Sequence, residues 1–527
     1  MTSYFTITFA LIFLPASVVL YALAPKRLRW CVLLGLSLLF MWHLSKRLTA
    51  LFAASALSVY ACGLGMEAAV TQRGRAIAEG MAKKDARNIC KKRMRAILAA
   101  GIIVNVGLLI ASKYLEFFSQ AVIAIVAPSD DGASGLASLG APIGISFYTM
   151  MALSYLADVY RETIPAEHHL GRLTLFLCFF PQIMEGPICR YGQTASALYA
   201  GEPLKRRNLY EGALRILYGM AKKIVVADRL NILVETVFDG KADYDGGIVA
   251  FSAILYTVQL YCDFSGAMDV ALGMGHIFNV ELPENFKQPF FSKTASEFWQ
   301  RWHITLGTWF KDYVYYPVSL SKGCKKVTAA ARKALGNRYG PLLAGGIALF
   351  CVWFLNGLWH GAGSQYLFFG MYYFAMIFAG GFVEPVAQSL SERYRIDRSS
   401  LPYRIFRTFR TLIIVFVGEL FFRAPGLGRG VELFSTIVKS FSLASFADGT
   451  FLTLGLDAYD LVLVLIVFAG VIAVDVARER GVSLCTELGS RRIPLRWAAL
   501  VALFLVVVIF GAYGHGYAPV DPLYAQF

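Results

Sequence analysis

Residues 339–383 are the feature that most constrains this chain, because they contain no Lys, Arg, Asp or Glu. A helix of about 20 apolar residues crosses the hydrocarbon core of a bilayer, so this run is long enough for two crossings. Apolar segments along the whole chain predict membrane-spanning helices, and the clearest are 3–24, 30–42, 48–66, 96–112, 248–270, 341–358, 367–383, 410–422, 461–474 and 498–514.

The composition also indicates a chain built for lipid. Hydrophobic residues make up 57% of the 527 positions and charged residues 16%, whereas soluble domains carry about 25% charged residues. These patterns predict an all-α, polytopic integral membrane protein with about ten to twelve spans and short interfacial and re-entrant helices. No linker or internal repeat divides the sequence, so we expect one membrane domain over 1–527 with a motif-bearing core at 142–383.

Basic loops contribute strongly to the net charge of +15. A basic soluble protein would suggest nucleic acid, but Lys and Arg also collect in the cytoplasmic loops of membrane proteins. We therefore expect a membrane-lipid environment and no nucleic acid, and we assign loops 25–29 and 71–95 to the cytoplasm. The acidic segment 128–140 and the tail from His515 would then lie outside.

The nine cysteines are scattered, mostly through apolar segments, and form no CxxC motif. This spacing favours neither a disulfide framework nor a zinc site. We therefore expect no metal centre.

Two segments place ionisable residues near membrane depth, where such residues are costly and usually functional. In 142–161, Asp158 ends an apolar helix, which is typical of an interfacial helix end. In 179–193, two prolines remove backbone donors around Glu185, so this segment is not a plain spanning helix. Broken backbone at this depth survives only inside protein or beside water. Glu185 is therefore predicted to line an internal cavity, and an ordinary interfacial loop is the alternative.

The richest group of polar residues lies in 261–317, where Asp263 interrupts an apolar span. Thr294 followed three residues later by Glu297 is a capping box, which predicts the start of an amphipathic helix, FWQRWHITLGTWFKDYVYY. On one continuous helix, His303 would share a face with tryptophans that suit a membrane interface. His303 is then either a packing residue or a functional one.

The stretch FLNGLWHGAG at 354–363 places one imidazole, His360, in the most apolar part of the chain. A buried histidine is hydrogen-bonded or functional, because unpaired polar burial costs several kcal/mol. The surrounding glycines predict a break in the helix, and Asn356 lies one turn before His360 and could share its face. The pattern predicts a reactive base in a partly wet cavity.

The motifs that are absent, and the chemistry of a histidine, limit the reactions that this chain could catalyse. No GxSxG elbow, Walker loop or GxGxxG motif is present, so hydrolase, phosphate-driven and dinucleotide-dependent activities lack support. An imidazole accepts a proton at physiological pH. It can therefore deprotonate a hydroxyl that attacks an activated acyl group.

The last two stretches resemble the membrane-bound O-acyltransferase family, and more closely its bacterial alginate O-acetyltransferase branch. The resemblance rests on CDFSGAMDVALGMG, LPENFKQPFFSKTASEFWQRWHITLGTWFKDYVYYP and FLNGLWHGAG. Segments 142–161 and 179–191 also match that branch in style. The resemblance covers residues from 142 to about 375, and the motifs keep their order.

The resemblance implies a ring of helices around a central tunnel, through which an acyl group passes from a cytoplasmic donor to an acceptor outside. It makes His360 the catalytic residue and His303 a second signature histidine. Residues that bind the donor or line the tunnel would come from Asn356, Trp359, Trp302, Asp263, Glu185, Glu297, Arg301, Lys311 and Asp312. For Asp263 and the last four of these, a structural ion pair is the alternative.

The resemblance also sets expectations for donor, partners and location. It implies no tightly bound cofactor and an acyl donor such as acetyl-CoA or an acyl carrier protein. Partners would be an extracytoplasmic acetyltransferase-type protein or polysaccharide-export proteins, in the cytoplasmic (inner) membrane of a bacterium. The sequence departs from the family after Pro317, where VSLSKG replaces a Gly-Gly-Asn-Arg turn, and at Tyr372 and Tyr373, near which relatives often carry a further histidine.

The leading hypothesis is O-acetylation of an exported polysaccharide, directly or through a partner. D-alanyl transfer to teichoic acid is the alternative within the family. A polytopic transporter with His360 as a proton relay would show repeated halves and paired broken helices, and the sequence has neither. A catalytically idle scaffold of an export complex is the remaining alternative.

Overall fold

The computed structural model describes residues 3–113, 144–240 and 242–513. Segment 128–140 and the tail from His515 lie outside the described residues. Within these ranges helices dominate, and extended pairing is confined to one antiparallel bridge between Phe286 and Trp302. The helices are α1 (Phe9–Leu23), α2 (Arg29–Leu44), α3 (Lys46–Ala78), α4 (Lys83–Lys113), α5 (Ile145–Tyr160), α6 (Leu170–Cys178), α7 (Tyr191–Ala200), α8 (Arg206–Met220), α9 (Asp228–Phe238), α10 (Gly246–Ile277), α11 (Ala295–Arg301), α12 (Ile304–Phe310), α13 (Tyr316–Ser319), α14 (Lys322–His360), α15 (Ser364–Arg393), α16 (Leu401–Arg423), α17 (Leu427–Lys439), α18 (Ala444–Ala447), α19 (Ala458–Glu479), α20 (Leu484–Ser490) and α21 (Ile493–Phe510).

Eight helices in the described part of the chain are long and apolar enough to cross a membrane, and they are α2, α3, α4, α10, α14, α15, α19 and α21. The shorter apolar helix α1 holds the first predicted segment. The predicted segment 410–422 lies in α16 but is not among the eight, because that helix also carries several arginines. The prediction of an all-α, multi-pass membrane protein is confirmed.

Helix α10 is the most deeply buried of these spans. In its most apolar window 72% of residues are buried, compared with 6–33% in the other seven spans. A helix that is apolar on all sides packs inside a protein rather than at its surface. Helix α10 therefore places Asp263 in the protein interior, where that side chain is 1% exposed.

The described residues form two compact units. The first contains 3–113, 144–216 and 267–283, and the second contains 217–240, 242–266 and 284–513.

The broken segment predicted at 179–193 lies in the core of the first unit. Helix α6 ends at Cys178 and α7 begins at Tyr191, and the residues between them form turns and extended backbone. The Tyr4 hydroxyl donates to the Phe180 carbonyl at 2.6 Å and accepts from the Met184 amide at 3.3 Å. The prediction that this segment is not a plain spanning helix is confirmed.

Helices α8 and α10 approach each other closely in the first unit. A Cβ atom on Gly273 would lie 2.7 Å from the Gly212 carbonyl oxygen, and one on Gly212 would lie 2.6 Å from the Gly273 carbonyl oxygen. Small residues of this kind let membrane helices pack backbone against backbone. The contact leaves no room for a side chain on either helix.

We expect Gly273→Ala to destabilise the protein by about 1–3 kcal/mol, because the added methyl group meets rigid backbone. A lower thermal unfolding midpoint in detergent would measure the effect. Gly35→Ala is the matched control, since a Cβ at Gly35 meets nothing within 4 Å. Equal midpoints for the two variants would contradict the backbone contact.

A helical hairpin dominates the second unit. Helix α14 is kinked at Gly336, where φ is 73°, and continues to His360. It packs tightly on α15, since a Cβ on Gly370 would lie 2.3 Å from the Trp353 carbonyl oxygen and one on Gly357 would lie 2.7 Å from the Tyr366 carbonyl oxygen. This close approach sets the position of the last turns of α14, which carry His360.

Candidate active site

The predicted continuous helix through His303 is wrong. Helix α11 ends at Arg301, His303 takes the left-handed conformation (φ 47°, ψ 50°), and a separate helix, α12, starts at Ile304. The backbone at the break is held from outside the helix, since the Lys287 amide donates to the Arg301 carbonyl at 2.9 Å and the Ile304 amide donates to the Asn285 carbonyl at 3.0 Å. The single tryptophan-lined face expected for this segment therefore does not exist.

The predicted start of that segment is confirmed. Thr294 is the N-cap of α11, and its hydroxyl accepts from the Glu297 amide at 3.0 Å. The Glu297 carboxylate accepts from the Lys293 amide at 2.9 Å. The first contact satisfies an amide in the first turn of the helix, and the second satisfies the amide of the residue that precedes the N-cap.

The His303 imidazole is oriented by Asn285. His303 Nδ1 lies 3.3 Å from Asn285 Oδ1, which also accepts from the amide and the hydroxyl of Thr305 at 2.9 and 3.0 Å. An amide oxygen only accepts hydrogen bonds, so this contact favours the tautomer with the proton on Nδ1. Nε2 is then the unprotonated nitrogen, which can accept a hydrogen bond.

The surroundings of His303 keep it neutral. The side chain is 2% exposed, and its ring packs edge-on against Phe264 with centroids 4.7 Å apart. Burial lowers the pKa of His303 to about 3, because the charged imidazolium loses its hydration. At physiological pH this residue is therefore an uncharged hydrogen-bonding group.

This burial predicts a pH dependence of stability. The unfolded chain binds a proton at His303 near the ordinary pKa of about 6.5, whereas the folded protein resists doing so until near 3. Stability contributed by this site should therefore fall as pH falls from about 6.5, by up to about 1.4 kcal/mol per pH unit. His303→Gln should show a shallower decline of the thermal unfolding midpoint between about pH 6 and 4. Parallel declines in both proteins would contradict a buried, neutral His303.

His360 is the last residue of α14. The helix stops there, residues 361–363 are not helical, and α15 begins at Ser364, so the predicted break is confirmed. The side chain is 2% exposed. Its ring contacts Phe422 and Phe369 edge-on, with centroids 4.9 and 5.8 Å apart. His360 therefore stands in an aromatic enclosure at a helix end.

The indole of Trp359 contacts both histidines. Its centroid is 5.8 Å from that of His303 and 4.9 Å from that of His360. The two signature motifs, far apart in the sequence, thus meet at one side chain in the second unit. Asn356 and His360 lie one turn apart on α14, so they share a face of that helix, as their spacing predicts. The Asn356 side chain is 7% exposed.

Three of the charged candidates form ion pairs. Asp263 lies 2.5 Å from the Lys223 ammonium, and both side chains are 1% exposed. Arg301 pairs with Glu297 at 3.0 Å and with Glu479 at 2.8 Å. This geometry supports the structural ion-pair alternative for Asp263, Glu297 and Arg301.

The remaining candidates lie in different surroundings. Trp302 is 1% exposed and stacks on Phe298, with centroids 5.4 Å apart. Lys311 is exposed and Asp312 is half-buried, and both lie in the π-helical segment Lys311–Tyr315 that continues from α12. Glu185 belongs to the first unit and is 1% exposed.

Several buried polar residues in the structure were not predicted from the sequence. Lys222 and Lys223 stand in the π-helical turn Ala221–Ala227 and are 2% and 1% exposed. Asn285 lies in a loop, and only the structure reveals its contact with His303. Glu419 is the one acid in the predicted span 410–422. The rule that ionisable residues in apolar segments are functional would have identified Glu419.

Fold and site together define a multi-pass helical membrane protein with two buried histidines on one indole. The family model described as the membrane-bound O-acyltransferase family matches residues 38–331. The chain belongs to this family, which confirms the resemblance seen in the sequence, and it is an O-acyltransferase. The matched range contains His303 and ends before His360.

The similar proteins include enzymes that modify different polymers. The chain is 30% identical over 419 residues to a probable alginate O-acetylase of Pseudomonas syringae pv. tomato, which covers 80% of this chain and 72% of the relative. It is 28% identical to a peptidoglycan O-acetyltransferase of Helicobacter pylori, over 66% of this chain and 65% of the relative. A teichoic acid D-alanyltransferase of Bacillus subtilis is 28% identical over 52% of this chain and 65% of the relative.

Proposed function

We propose that this enzyme transfers an acetyl group from a cytoplasmic donor to hydroxyl groups of an exported polysaccharide, directly or through an extracytoplasmic partner. Two similar proteins are named for O-acetylation of alginate and of peptidoglycan. The donor would be acetyl-CoA or an acetylated carrier protein, and the location the cytoplasmic membrane of a bacterium. The partner would be an acetyltransferase-type or polysaccharide-export protein outside that membrane.

The contact of His303 and His360 with Trp359 is the observation that carries the proposal. It brings two buried imidazoles to one place in the second unit. His360 has the chemistry of a general base, and His303 is a neutral imidazole with a fixed tautomer. A general base and a preorganised polar group suit acyl transfer to a hydroxyl.

The proposed acyl transfer requires neither a metal ion nor a redox cofactor. His360 takes the proton of the acceptor hydroxyl as its oxygen attacks the carbonyl carbon of the acyl thioester. A C–O bond forms, the C–S bond breaks, and the proton passes from the imidazolium to the departing thiolate. His303, as a neutral polar group, would orient the acyl group or the donor.

The deciding experiment measures ester groups on the surface polysaccharide by NMR and mass spectrometry. Cells with the wild-type chain, with no chain and with His360→Ala are compared at matched expression. The proposal predicts acetyl esters in the first strain and none in the other two. Acetyl esters that persist without the chain would overturn the polysaccharide assignment.

D-alanyl transfer is the second candidate, because one similar protein is named a teichoic acid D-alanyltransferase. The same NMR spectra distinguish it, since D-alanyl esters give an amino-acid signal that acetyl esters lack. Loss of D-alanyl esters with unchanged acetyl esters would replace the first proposal with the second. Loss of acetyl esters only in cells without the chain, and not with His360→Ala, would indicate a scaffold.

A further inference from the structure

A second group of side chains with buried polar atoms lies near His360 and takes no part in the proposed step. They come from four helices of the second unit: Trp299 on α11, Asn356 on α14, Tyr373 on α15 and Glu419 on α16. Tyr373, Glu419 and Asn356 are 0%, 1% and 7% exposed. Among the described residues, no partner serves the Trp299 indole N–H, Asn356 Oδ1, the Tyr373 hydroxyl or Glu419 Oε2.

One aromatic cluster joins these groups to His360. The Tyr373 ring contacts the rings of Trp299 and Trp353, with centroids 4.8 and 5.4 Å apart. Phe369 lies between, with its centroid 4.9 Å from that of Tyr373 and 5.8 Å from that of His360. The Tyr373 side chain is therefore one ring away from the catalytic candidate.

Helix α16 connects the same two places. A Cβ atom on Gly418 would lie 2.6 Å from the Tyr373 hydroxyl, so the backbone of α16 is pressed against that hydroxyl. One turn later, the Phe422 ring contacts His360, with centroids 4.9 Å apart. Glu419 lies within this turn, close enough to Tyr373 for an electrostatic interaction.

Asn356 reaches the cluster from α14. Trp353, Asn356 and His360 are spaced three and four residues apart, so they share one face of that helix. At one end of this face the Trp353 ring contacts Tyr373, and at the other end the His360 ring contacts Phe369. Asn356 therefore stands between the level of His360 and the level of the Tyr373 ring.

The chemistry of the four groups indicates what they bind. A buried polar group without a partner costs about 1–3 kcal/mol, and native proteins seldom leave one unsatisfied. Glu419 forms no ion pair within the described residues, and a lone carboxyl group in an apolar interior is neutral because a buried charge is far more costly. The set then offers donors and acceptors without net charge, inside aromatic walls.

We propose that Glu419, Tyr373, Asn356 and Trp299 form a second subsite, which binds an uncharged hydroxyl or amide group of a substrate while its reacting atoms lie at His360. This inference rests on the proposed function. A hydroxyl would come from the sugar acceptor, and an amide from the pantetheine arm of a thioester donor. In either case the subsite positions the substrate and does not take part in bond making.

The test uses Tyr373→Phe, which removes only the hydroxyl. Membranes of cells that express the full chain are assayed with radiolabelled acetyl-CoA and the isolated polysaccharide. Losing one neutral hydrogen bond should raise KM for one substrate by about tenfold with little change in kcat. The substrate whose KM rises identifies the source, acceptor hydroxyl or donor amide. An unchanged KM for both substrates would overturn the subsite.

Tyr372→Phe is the matched control, because the Tyr372 hydroxyl donates to the Ile414 carbonyl at 2.9 Å. This variant should leave both KM values unchanged.

Two substitutions of Glu419 test whether the ligand is uncharged. Glu419→Gln keeps a neutral hydrogen-bonding group and should raise the affected KM by less than about threefold, whereas Glu419→Leu should raise it about as much as Tyr373→Phe does. An equal rise in KM for Glu419→Gln and Glu419→Leu would contradict the proposal that the subsite binds an uncharged group. Wild-type membranes that transfer no acetyl group would instead reject the proposed function, and the KM comparison would then be made with the acyl donor that they use.

Discussion

His360→Ala is expected to lower the rate of acyl transfer by about 10²–10⁴-fold, which is the range that a positioned general base contributes. This loss corresponds to about 2.7–5.4 kcal/mol of transition-state stabilisation. In the proposed step His360 takes the acceptor proton, because burial lowers the pKa of His303 to about 3 and so makes that imidazole a poor base. The initial rate of acetyl transfer in membranes, at equal protein concentration, measures the effect.

The controls for this variant separate chemistry from folding. His43→Ala removes an exposed imidazole whose Nδ1 contacts the Leu39 carbonyl, and it should keep the wild-type rate. His360→Ala should remain in the membrane with a similar thermal unfolding midpoint, since the enclosing aromatic rings stay in place. A His360→Ala enzyme that keeps more than about a tenth of the wild-type rate would refute the assignment of the base.

The membrane-spanning helices are well predicted from the sequence because each one depends on the apolar residues of its own segment. A bilayer requires long apolar helices, and residues 339–383 reveal two of them without any tertiary information. The helix break after His360 was also predictable, because glycine clusters permit breaks wherever they occur. The capping box at Thr294 is a further local signal that the structure confirms.

The environment of the histidines was not predictable in the same way. The break at His303 depends on hydrogen bonds between residues 285–287 and the segment after Phe298, and the helical pattern of the segment conceals it. The ion pair of Asp263 depends on Lys223, which is far away in the sequence. Such contacts follow from tertiary packing, and periodicity in one segment carries no information about them.

The second large effect is expected at Lys223. Its ammonium lies 2.6 Å from Asp228 and 2.5 Å from Asp263, and the Lys223 and Asp263 side chains are each 1% exposed. Lys223→Met would leave two carboxylates in the interior without this cation. Removing one partner of a buried ion pair costs about 3–5 kcal/mol. A thermal unfolding series in detergent should show a large fall in the midpoint and reduced yield from the membrane.

A double-mutant cycle distinguishes a lost ion pair from lost packing at Lys223. Lys223→Met combined with Asp263→Leu should be more stable than Lys223→Met alone, because the second change removes a carboxylate that has lost its cation. The exposed pair of Lys26 and Glu202, whose side chains are 65% and 47% exposed, provides the control. Lys26→Met should change stability by less than about 1 kcal/mol, since solvent screens that pair. If the double variant is less stable than Lys223→Met, the effect comes from packing of the lysine chain, and Asp263 would regain its place among the candidates for donor binding.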